Sequence, residues 1–387
     1  MACSTTMSKD ARNQIQKEVL DRARHVVIKV GSAVLTDDSG LDRDMISHLS
    51  SQMARLQASG RKVILVSSGA VAAGMAKMEG RIQPRTIPEK QAMAAIGQAH
   101  LMQAYEEAFE EHGFKVAQVL LTRAGLIPRN RYVNAKNTLK TLIDWNIIPI
   151  INENDTVATE ELQFTDNDAL SVLVVNLTEA DVLITLSDID GLYDADPRDN
   201  PNARKISQVE KIDRRLLALA GSAPGRAGRG GMKSKLEAAR MVTACGIPMI
   251  IAAGRTREVI SRLFEGEPLG TFFHASRRRI YGRKPWIAYA LERKGTIEID
   301  DGAVKALKQG GGSLLPVGIK RVSGDFHKGD CILCIDERGE EVAIGLTNFD
   351  SAEIRKICGK KSDRIQGIIG RKEKEEVIHR DDMVTLL

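Results

Sequence analysis

The strongest constraint on the fold is a series of short segments that are apolar at nearly every position. The first is His25-Val-Val-Ile-Lys-Val30. Similar segments follow at 62–67, 114–122, 147–152, 181–187 and 247–252. Amphipathic helical patterns separate them, and a strand that is apolar on both faces is typical of a parallel sheet covered by helices. We therefore predict an α/β fold with a mostly parallel open sheet sandwiched by helices.

The pattern changes near residue 275, where short strands begin to alternate with turns. A chain of 387 residues is long enough for two domains. We predict an N-terminal extension over 1–24, an α/β domain over 25–275, a basic linker over 276–284, and a small β-rich C-terminal domain over 285–387 with its tail. Most of the net charge of +5 lies after residue 275.

Composition narrows the classes of function. Aromatic residues make up 4% of the chain, which leaves few side chains to stack on single-stranded nucleic acid. No apolar run approaches the roughly 18 residues of a membrane helix, and residues 1–24 lack an apolar signal core. We expect a cytoplasmic protein with no membrane partner. Cys331 and Cys334 lie in an apolar strand pattern without a second pair at zinc spacing, which favours two half-buried strand cysteines over a metal site.

Polar segments follow several predicted strands, at the edge where α/β sheets bind ligands. Lys29 ends the first strand, where a lysine is unfavourable unless its ammonium group reaches a site and pairs with phosphate. The alternative is an edge position with the side chain extended to water. Ser67-Ser-Gly-Ala70 offers hydroxyl and N–H groups to a carboxylate, or simply caps a helix. Ser187-Asp-Ile-Asp-Gly191 is placed to line a nucleotide.

Two acidic segments and one glycine-rich segment complete the candidates. Asn152-Glu-Asn-Asp155 and Asp166-Asn-Asp168 suit an ammonium group, Mg²⁺ held through water, or the orientation of lysines, but also ordinary turns. Gly225–Lys235 carries four glycines and four cations directly before a helix, which favours polyphosphate. It matches neither a Walker P-loop nor a dinucleotide fingerprint. A surface loop before a capped helix is the alternative.

In this order the segments resemble the amino acid kinase family. The closest matches are Ile28–Gly31, Val66–Gly74, Leu120–Arg123, Ile150–Val157, Asp166–Asp168, Gly191–Tyr193, Asp196–Arg198 and Gly230–Met232 with Lys235. The C-terminal domain resembles PUA domains, which often occur in RNA-modifying enzymes, at Gly312–Ile319 and His379–Asp382. Two positions depart from the family: Gly31-Ser32-Ala33 replaces a common Gly-Thr-Ser, and Arg229 replaces a small polar residue.

Within the family, the resemblance is to members that phosphorylate glutamate. It implies phosphoryl transfer from ATP to the γ-carboxylate of L-glutamate at the start of proline biosynthesis. Mg²⁺ would arrive with ATP, near Asp168, without direct protein ligands. The resemblance implies catalysis by Lys29, Lys235 and Asp168. It places glutamate at Ser68, Gly69, Asp155, Asp166 and Asn167. It places ATP at Lys29, Gly31, Ser187, Asp188, Arg229, Gly230, Gly231, Met232, Lys233, Ser234 and Lys235.

The resemblance also implies proline as a feedback inhibitor and a homo-oligomer, either a dimer or a tetramer. Three alternatives stay open at this point. The substrate could be acetylglutamate or aspartate, as in other members of the family. The chain could act as an RNA-binding protein through its C-terminal domain, a reading motivated by the basic segment 277–284, although RNA binding is unproven. A nicotinamide dehydrogenase is disfavoured because no strand leads into a G-x-G-x-x-G sequence.

Overall fold

The computed structural model describes residues 9–37, 40–79, 82–126, 128–158, 167–197, 200–213, 216–217, 231–276, 287, 293–309, 312–370 and 374–386. The chain forms two compact units, Met1–Arg279 and Ile280–Leu387, each of which is described by itself. Most of the predicted linker 276–284 lies outside the described residues. None of the described helices combines the length and the hydrophobicity needed to span a bilayer.

A mostly parallel sheet forms the centre of the first unit, as predicted. Its described strands are β1 (His25–Val30), β4 (Lys62–Val66), β5 (Val116–Leu121), β6 (Ile148–Glu153), β7 (Val182–Ser187), β10 (Gln208–Val209), β11 (Met249–Ala253) and β12 (Thr271–Phe273). The order is β10-β12-β11-β7-β1-β4-β6-β5, and only the β11–β12 pair is antiparallel among these strands. Two small hairpins lie outside this sheet: β2 (Thr36–Asp37) with β3 (Gly40–Leu41), and β8 (Leu192–Tyr193) with β9 (Lys205–Ile206).

Helices cover the sheet. They are α1 (Lys9–Arg22), α2 (Ser32–Leu35), α3 (Arg43–Ala58), α4 (Ala70–Lys77), α5 (Ile87–Glu110), α6 (Arg129–Asp144), α7 (Asn167–Thr178), α8 (Met232–Ala244) and α9 (Val259–Phe264). Capping residues set two of the starts. Asp42 accepts from the Met45 N–H before α3, and Thr86 with Glu89 forms a capping box before α5. Within the predicted N-terminal extension, α1 packs on the main core, where its Leu20 is fully buried.

Alternate residues of β1 face opposite helical layers. Val26, Ile28 and Val30 belong to the main hydrophobic cluster, which also includes residues of α3 and α5. Lys29 lies on the other face, where its side chain reaches α7. Because strand side chains alternate between faces, a single lysine within an apolar strand is directed away from the main cluster and toward the site.

Helices α4 and α5 approach each other through glycines. A Cβ atom built on Gly97 would lie 1.8 Å from the backbone oxygen of Ala70. A Cβ atom on Gly74 would lie 2.0 Å from the backbone oxygen of Met93. No larger residue fits at either position without movement of the backbone. The contact holds α5 beside the loop that joins β4 to α4.

The second unit contains a five-stranded sheet within the described residues. Its strands are β13 (Arg293–Ile299), β14 (Ile319–Gly324), β15 (Cys331–Ile335), β16 (Glu341–Leu346) and β17 (Met383–Thr385), in the order β14-β13-β15-β16-β17. The helices are α10 (Asp301–Lys308), α11 (Ser351–Ile357) and α12 (Ile365–Ile369). The β-rich prediction is confirmed, whereas α11 and α12 are additional elements.

Cys331 and Cys334 lie on strand β15, as the strand pattern predicts. They are 2% and 0% exposed, so both are buried rather than half-buried. Burial raises the pKa of the Cys334 thiol to about 12. Positions i and i+3 of a strand face opposite sides of the sheet, which does not suit chelation of one ion by both sulfur atoms.

Candidate active site

The carboxyl ends of four adjacent parallel strands gather most of the predicted site residues. These strands lie in the order β7-β1-β4-β6. The register aligns Lys29 of β1 with Val66 of β4 and with Thr185 of β7, so the strands end at nearly the same level. Helices α7 and α8 begin at this edge and add Asp168 and Lys235. The fold therefore collects residues that are up to 206 positions apart in the sequence.

Two lysines converge on one buried carboxylate. Lys29 Nζ lies 2.5 Å from Asp168 Oδ1, and Lys235 Nζ lies 3.6 Å from Asp168 Oδ2. Ser234 Oγ also donates to Asp168 Oδ2, at 2.7 Å. The side chains of the two lysines are only 7% and 6% exposed, and that of the aspartate only 2%. The group is therefore nearly closed to water and carries one more positive than negative charge.

The charges within this group shift its proton affinities. Burial alone would raise the pKa of Asp168, but the ammonium groups of Lys29 and Lys235, together with the hydrogen bonds, hold it below its ordinary value. Burial lowers the pKa of Lys235, and the positive charge of Lys29 lowers it further, while Asp168 and Asp188 oppose the shift. The entry of an anion would favour the charged form of Lys235.

Asn167, the first residue of α7, joins two strand ends. Its Nδ2 donates to the backbone oxygen of Ser67 at 2.9 Å and to Ser68 Oγ at 2.8 Å, and it lies 3.1 Å from Asn152 Oδ1. Asn152 donates through its own Nδ2 to Gln98 Oε1 at 2.9 Å. The structure thus brings the predicted residues Ser68 and Asn167 into direct contact.

Gly69 and Asp155 follow the ends of β4 and β6. Gly69 has a φ of 97°, a left-handed conformation that favours glycine, and it precedes the first residue of α4. Asp155 begins a short 3₁₀ turn, Asp155–Val157. Within the described part of the chain its carboxylate has no ion-pair partner, and burial raises its pKa to about 6. A partly buried carboxylate without a cation is suited to receive one from a ligand.

The described residues that are predicted to contact ATP lie at the ends of β1 and β7 and at the start of α8. The Gly31 N–H donates to the backbone oxygen of Leu186 at 3.0 Å, so it is not available to a phosphate. Buried Ser187 donates through Oγ to exposed Asp188 at 2.9 Å. Gly231 is the residue before α8, and its backbone oxygen lies 2.9 Å from Ser234 Oγ. In the first turn of α8, Met232 is half-buried and Lys233 is exposed.

Three predicted residues, Asp166, Arg229 and Gly230, lie outside the described residues. The site also contains two residues that the sequence analysis did not assign. Asn152 had a signal, because it belongs to the Asn-Glu-Asn-Asp segment after β6. Gln98 had none, because it lies within the long helix α5 and its partner is 54 positions away.

The hydrogen-bond donors around Asp168 limit how this residue could bind the predicted Mg²⁺. Both oxygens of Asp168 already accept a hydrogen bond, Oδ1 from Lys29 and Oδ2 from Ser234. The described residues contain no cluster of three or more His, Cys, Asp or Glu side chains that would enclose an ion. Mg²⁺ usually keeps several waters and binds through substrate phosphates with one or two carboxylates. The residues present would therefore fit an ion held mainly by nucleotide phosphates near Asp168.

Comparison with known proteins identifies the family to which both parts of the chain are similar. The model of the amino acid kinase family matches residues 24–253, and the PUA domain model matches residues 295–369. A protein from Chromohalobacter salexigens named glutamate 5-kinase is 49% identical over 369 residues, which cover 95% of this chain and 97% of that protein. Namesakes from Desulfotalea psychrophila and Meiothermus ruber are each 48% identical, covering 96% and 92% of this chain and 100% and 94% of their own lengths. With more than half of its length matched by the family model, the chain belongs to the amino acid kinase family.

Proposed function

We propose that this chain transfers the γ-phosphoryl group of ATP to the side-chain carboxylate of L-glutamate, the glutamate 5-kinase reaction of proline biosynthesis. The observation that carries the proposal is the convergence of Lys29 and Lys235 on Asp168 at the ligand-binding edge of the sheet. The similarity to glutamate 5-kinases over nearly the whole chain supports glutamate as the acceptor, in place of acetylglutamate or aspartate.

The reaction needs charge neutralisation more than proton transfer. An oxygen of the γ-carboxylate forms a bond to the γ-phosphorus, the bond from that phosphorus to the bridging oxygen breaks, and ADP leaves. The nucleophile is already an anion, so no general base is required. Phosphoryl transfer is accelerated mainly by positioning and by stabilisation of developing charge. Lys29 and Lys235 provide two positive charges for the transferring group and the leaving oxygen.

Asp168 holds the two lysines in place. Because it accepts from Lys29 and Ser234 and forms an ion pair with Lys235, it fixes the separation of the two lysines before the substrates bind. We assign the nucleotide to Ser187, Asp188 and the start of α8 from Gly231 to Lys235. Gly31 stays a predicted neighbour of the phosphates that does not donate its N–H, because Leu186 accepts from that group. Arg229 and Gly230 extend this assignment as predictions. Mg²⁺ bound with ATP would neutralise charge on the phosphate oxygens.

The amino-acid end of glutamate is assigned to the ends of β4 and β6. Asp155 accepts the α-ammonium group, because its carboxylate is desolvated and has no cation among the described residues. Ser68 donates its hydroxyl hydrogen to a substrate carboxylate, since its Oγ already accepts from Asn167. Gly69 supplies the turn that presents this serine, and Asp166 is assigned to the same site as a prediction.

Four further expectations, on regulation, assembly, RNA binding and location, do not follow from the contacts of the active site. Feedback inhibition by proline, assembly into a dimer or tetramer and a cytoplasmic location stay predictions, and RNA binding by the PUA domain stays an alternative. The first can be measured in the assay below by addition of proline. The second can be measured by light scattering of the purified protein.

The assay is the formation of γ-glutamyl hydroxamate from glutamate, Mg-ATP and hydroxylamine. We expect product with glutamate and much less with aspartate or N-acetylglutamate. Lys29→Met and Lys235→Met should each lower kcat by about 100-fold or more, as for the loss of a charge contact in the transition state. Lys140→Met is the matched control, because Lys140 is exposed on α6 and pairs only with Asp144 of the same helix among the described residues. Full activity of both site variants would remove the lysines from the mechanism.

A further inference from the structure

Helix α5 contacts two neighbouring strand ends through two polar side chains. Gln98 Oε1 accepts from Asn152 Nδ2 at 2.9 Å, near the end of β6. The Tyr105 hydroxyl lies 3.0 Å from Ser67 Oγ, directly after β4. Residues i and i+7 share one face of a helix after two turns, and β4 and β6 are adjacent in the sheet. One helix face therefore reaches both strand ends that carry the proposed amino-acid site.

Asn167 closes these contacts into a ring. It donates to the backbone oxygen of Ser67 and lies within hydrogen-bond distance of Asn152 Oδ1. The ring runs from Gln98 through Asn152, Asn167 and Ser67 to Tyr105, and returns along α5. Each strand end is held from two sides, by α5 and by the start of α7.

Backbone groups fix the direction in which each amide of the ring points. The N–H of Glu153 donates to Asn152 Oδ1 at 2.9 Å, so Asn152 must present Nδ2 to Gln98. The carbonyl group of Ser67 requires a donor, so Asn167 must turn its Nδ2 toward it. These orientations leave Gln98 Nε2 and Asn167 Oδ1 buried without a hydrogen-bond partner in the described part of the chain.

Two open polar atoms beside an otherwise paired ring indicate a ligand-binding edge. A buried donor or acceptor without a partner is unfavourable by about 1–3 kcal/mol unless a ligand or an ordered water pairs with it. Asn167 Oδ1 is an acceptor, which suits an ammonium group, and Gln98 Nε2 is a donor, which suits a carboxylate. An amino acid carries both groups on one carbon atom.

We propose that Gln98 and Tyr105 are positioning residues for the amino-acid substrate. They hold Asn152 and Ser67 so that Asn167 presents its open Oδ1 to the substrate ammonium group. Tyr105 and Ser67 are 0% exposed, so water does not compete for their contact. The inference rests on the proposed function, because it assumes that the amino-acid substrate binds at these strand ends.

Gln98→Met and Tyr105→Phe test this role with little change in side-chain volume. Each removes one hydrogen-bonding group of the ring. We expect each variant to raise KM for glutamate by about threefold to tenfold, with kcat and KM for ATP within about twofold of the unmodified chain. Gln103→Met is the control, since Gln103 lies on the same helix and its side chain donates to Glu107 at the surface. It should leave all three parameters unchanged.

The double variant Gln98→Met/Tyr105→Phe tests whether the two residues act through one ring. Once one substitution has opened the ring, the other contact positions Asn167 less firmly, so its loss has a smaller effect. The combined rise in KM should therefore be smaller than the product of the single rises. A combined rise equal to the product would overturn the shared ring.

The positioning role would be overturned if KM for glutamate stayed within twofold in both single variants. An equal rise in KM for ATP, or a loss of melting temperature with an unchanged KM, would overturn it as well. The proposed function is tested separately by the unmodified chain in the same hydroxamate assay. If that chain forms no product with glutamate, the function has failed, whatever the variants do.

Discussion

Asp155→Asn should stabilise the substrate-free protein, and only at neutral and alkaline pH. Burial raises the pKa of Asp155 from an ordinary value of 3.8 to about 6. Because the folded-state pKa is raised, the fold favours the protonated carboxyl group. The free energy of unfolding is therefore highest below the unfolded-state pKa, and it falls as pH rises through the folded-state pKa and the carboxyl group ionises. The difference between the two values corresponds to a penalty of about 3 kcal/mol for the ionised group above pH 7.

The measurement compares urea unfolding of Asp155→Asn and the unmodified chain across a pH series, followed by circular dichroism. The two proteins should be equally stable at about pH 3 and diverge as pH rises, with the variant about 2–3 kcal/mol more stable near pH 8. Other titrating groups are the same in both proteins, so their effects cancel in the difference. Asp144→Asn is the control, because Asp144 is an exposed surface residue whose side chain is 56% exposed. It should change stability by less than about 0.5 kcal/mol.

The outcome also separates two views of Asp155. If this residue is held for binding, its burial is unfavourable without a ligand and becomes favourable when an ammonium group arrives. The variant should then gain stability and lose affinity for glutamate at the same time. Equal stability of the two proteins at every pH would refute the desolvation argument, and reduced stability of the variant at pH 8 would show that the carboxylate has a stabilising partner.

The remaining predictions concern the same edge of the sheet. KM for glutamate should rise as pH falls below about 6, approaching tenfold for each pH unit, because protonated Asp155 cannot pair with ammonium; a flat profile between pH 5 and 7 would contradict that pairing. Asp168→Asn should lower the free energy of unfolding by about 3–5 kcal/mol, since it leaves two buried ammonium groups without a counter-charge, and a loss under 1 kcal/mol in urea unfolding would contradict it. Gly97→Ala should destabilise by about 1–3 kcal/mol because its Cβ atom would meet the Ala70 carbonyl group, and an unchanged melting temperature would show that α5 can move away freely.

The fold could be predicted because its signal is local. Each buried strand is a continuous apolar segment, and capping residues such as Asp42 mark helix starts within a few positions. The short helices of the second unit illustrate a signal that was available but weak. Asp350 and Glu353 form a capping box before α11, and the Asp-x-x-Glu spacing is readable in the sequence.

The site could be predicted only in part, for a physical reason. Lys29 and the acidic segments carry local signals, because a charged side chain at the end of a buried strand is unfavourable unless it reaches a partner or a ligand. Gln98 and Tyr105 carry none, since a polar residue within an amphipathic helix is ordinary. Their partners lie 54 and 38 positions away, and the contacts exist only after α5 packs on α4. The role of a positioning residue depends on tertiary packing, so no local sequence pattern identifies it.

The composition of the charged group explains why it suits phosphoryl transfer. Lys29 and Asp168 compensate each other closely, whereas the more distant Lys235 keeps a lowered pKa because its burial outweighs the attraction. The group is therefore one negative charge short of balance in a place nearly closed to water. Among these three side chains Asp168 is the one acid, so phosphoryl oxygens add the negative charge that the three lack. The attraction grows as charge develops on the leaving oxygen. Stabilisation that increases toward the transition state is what raises kcat.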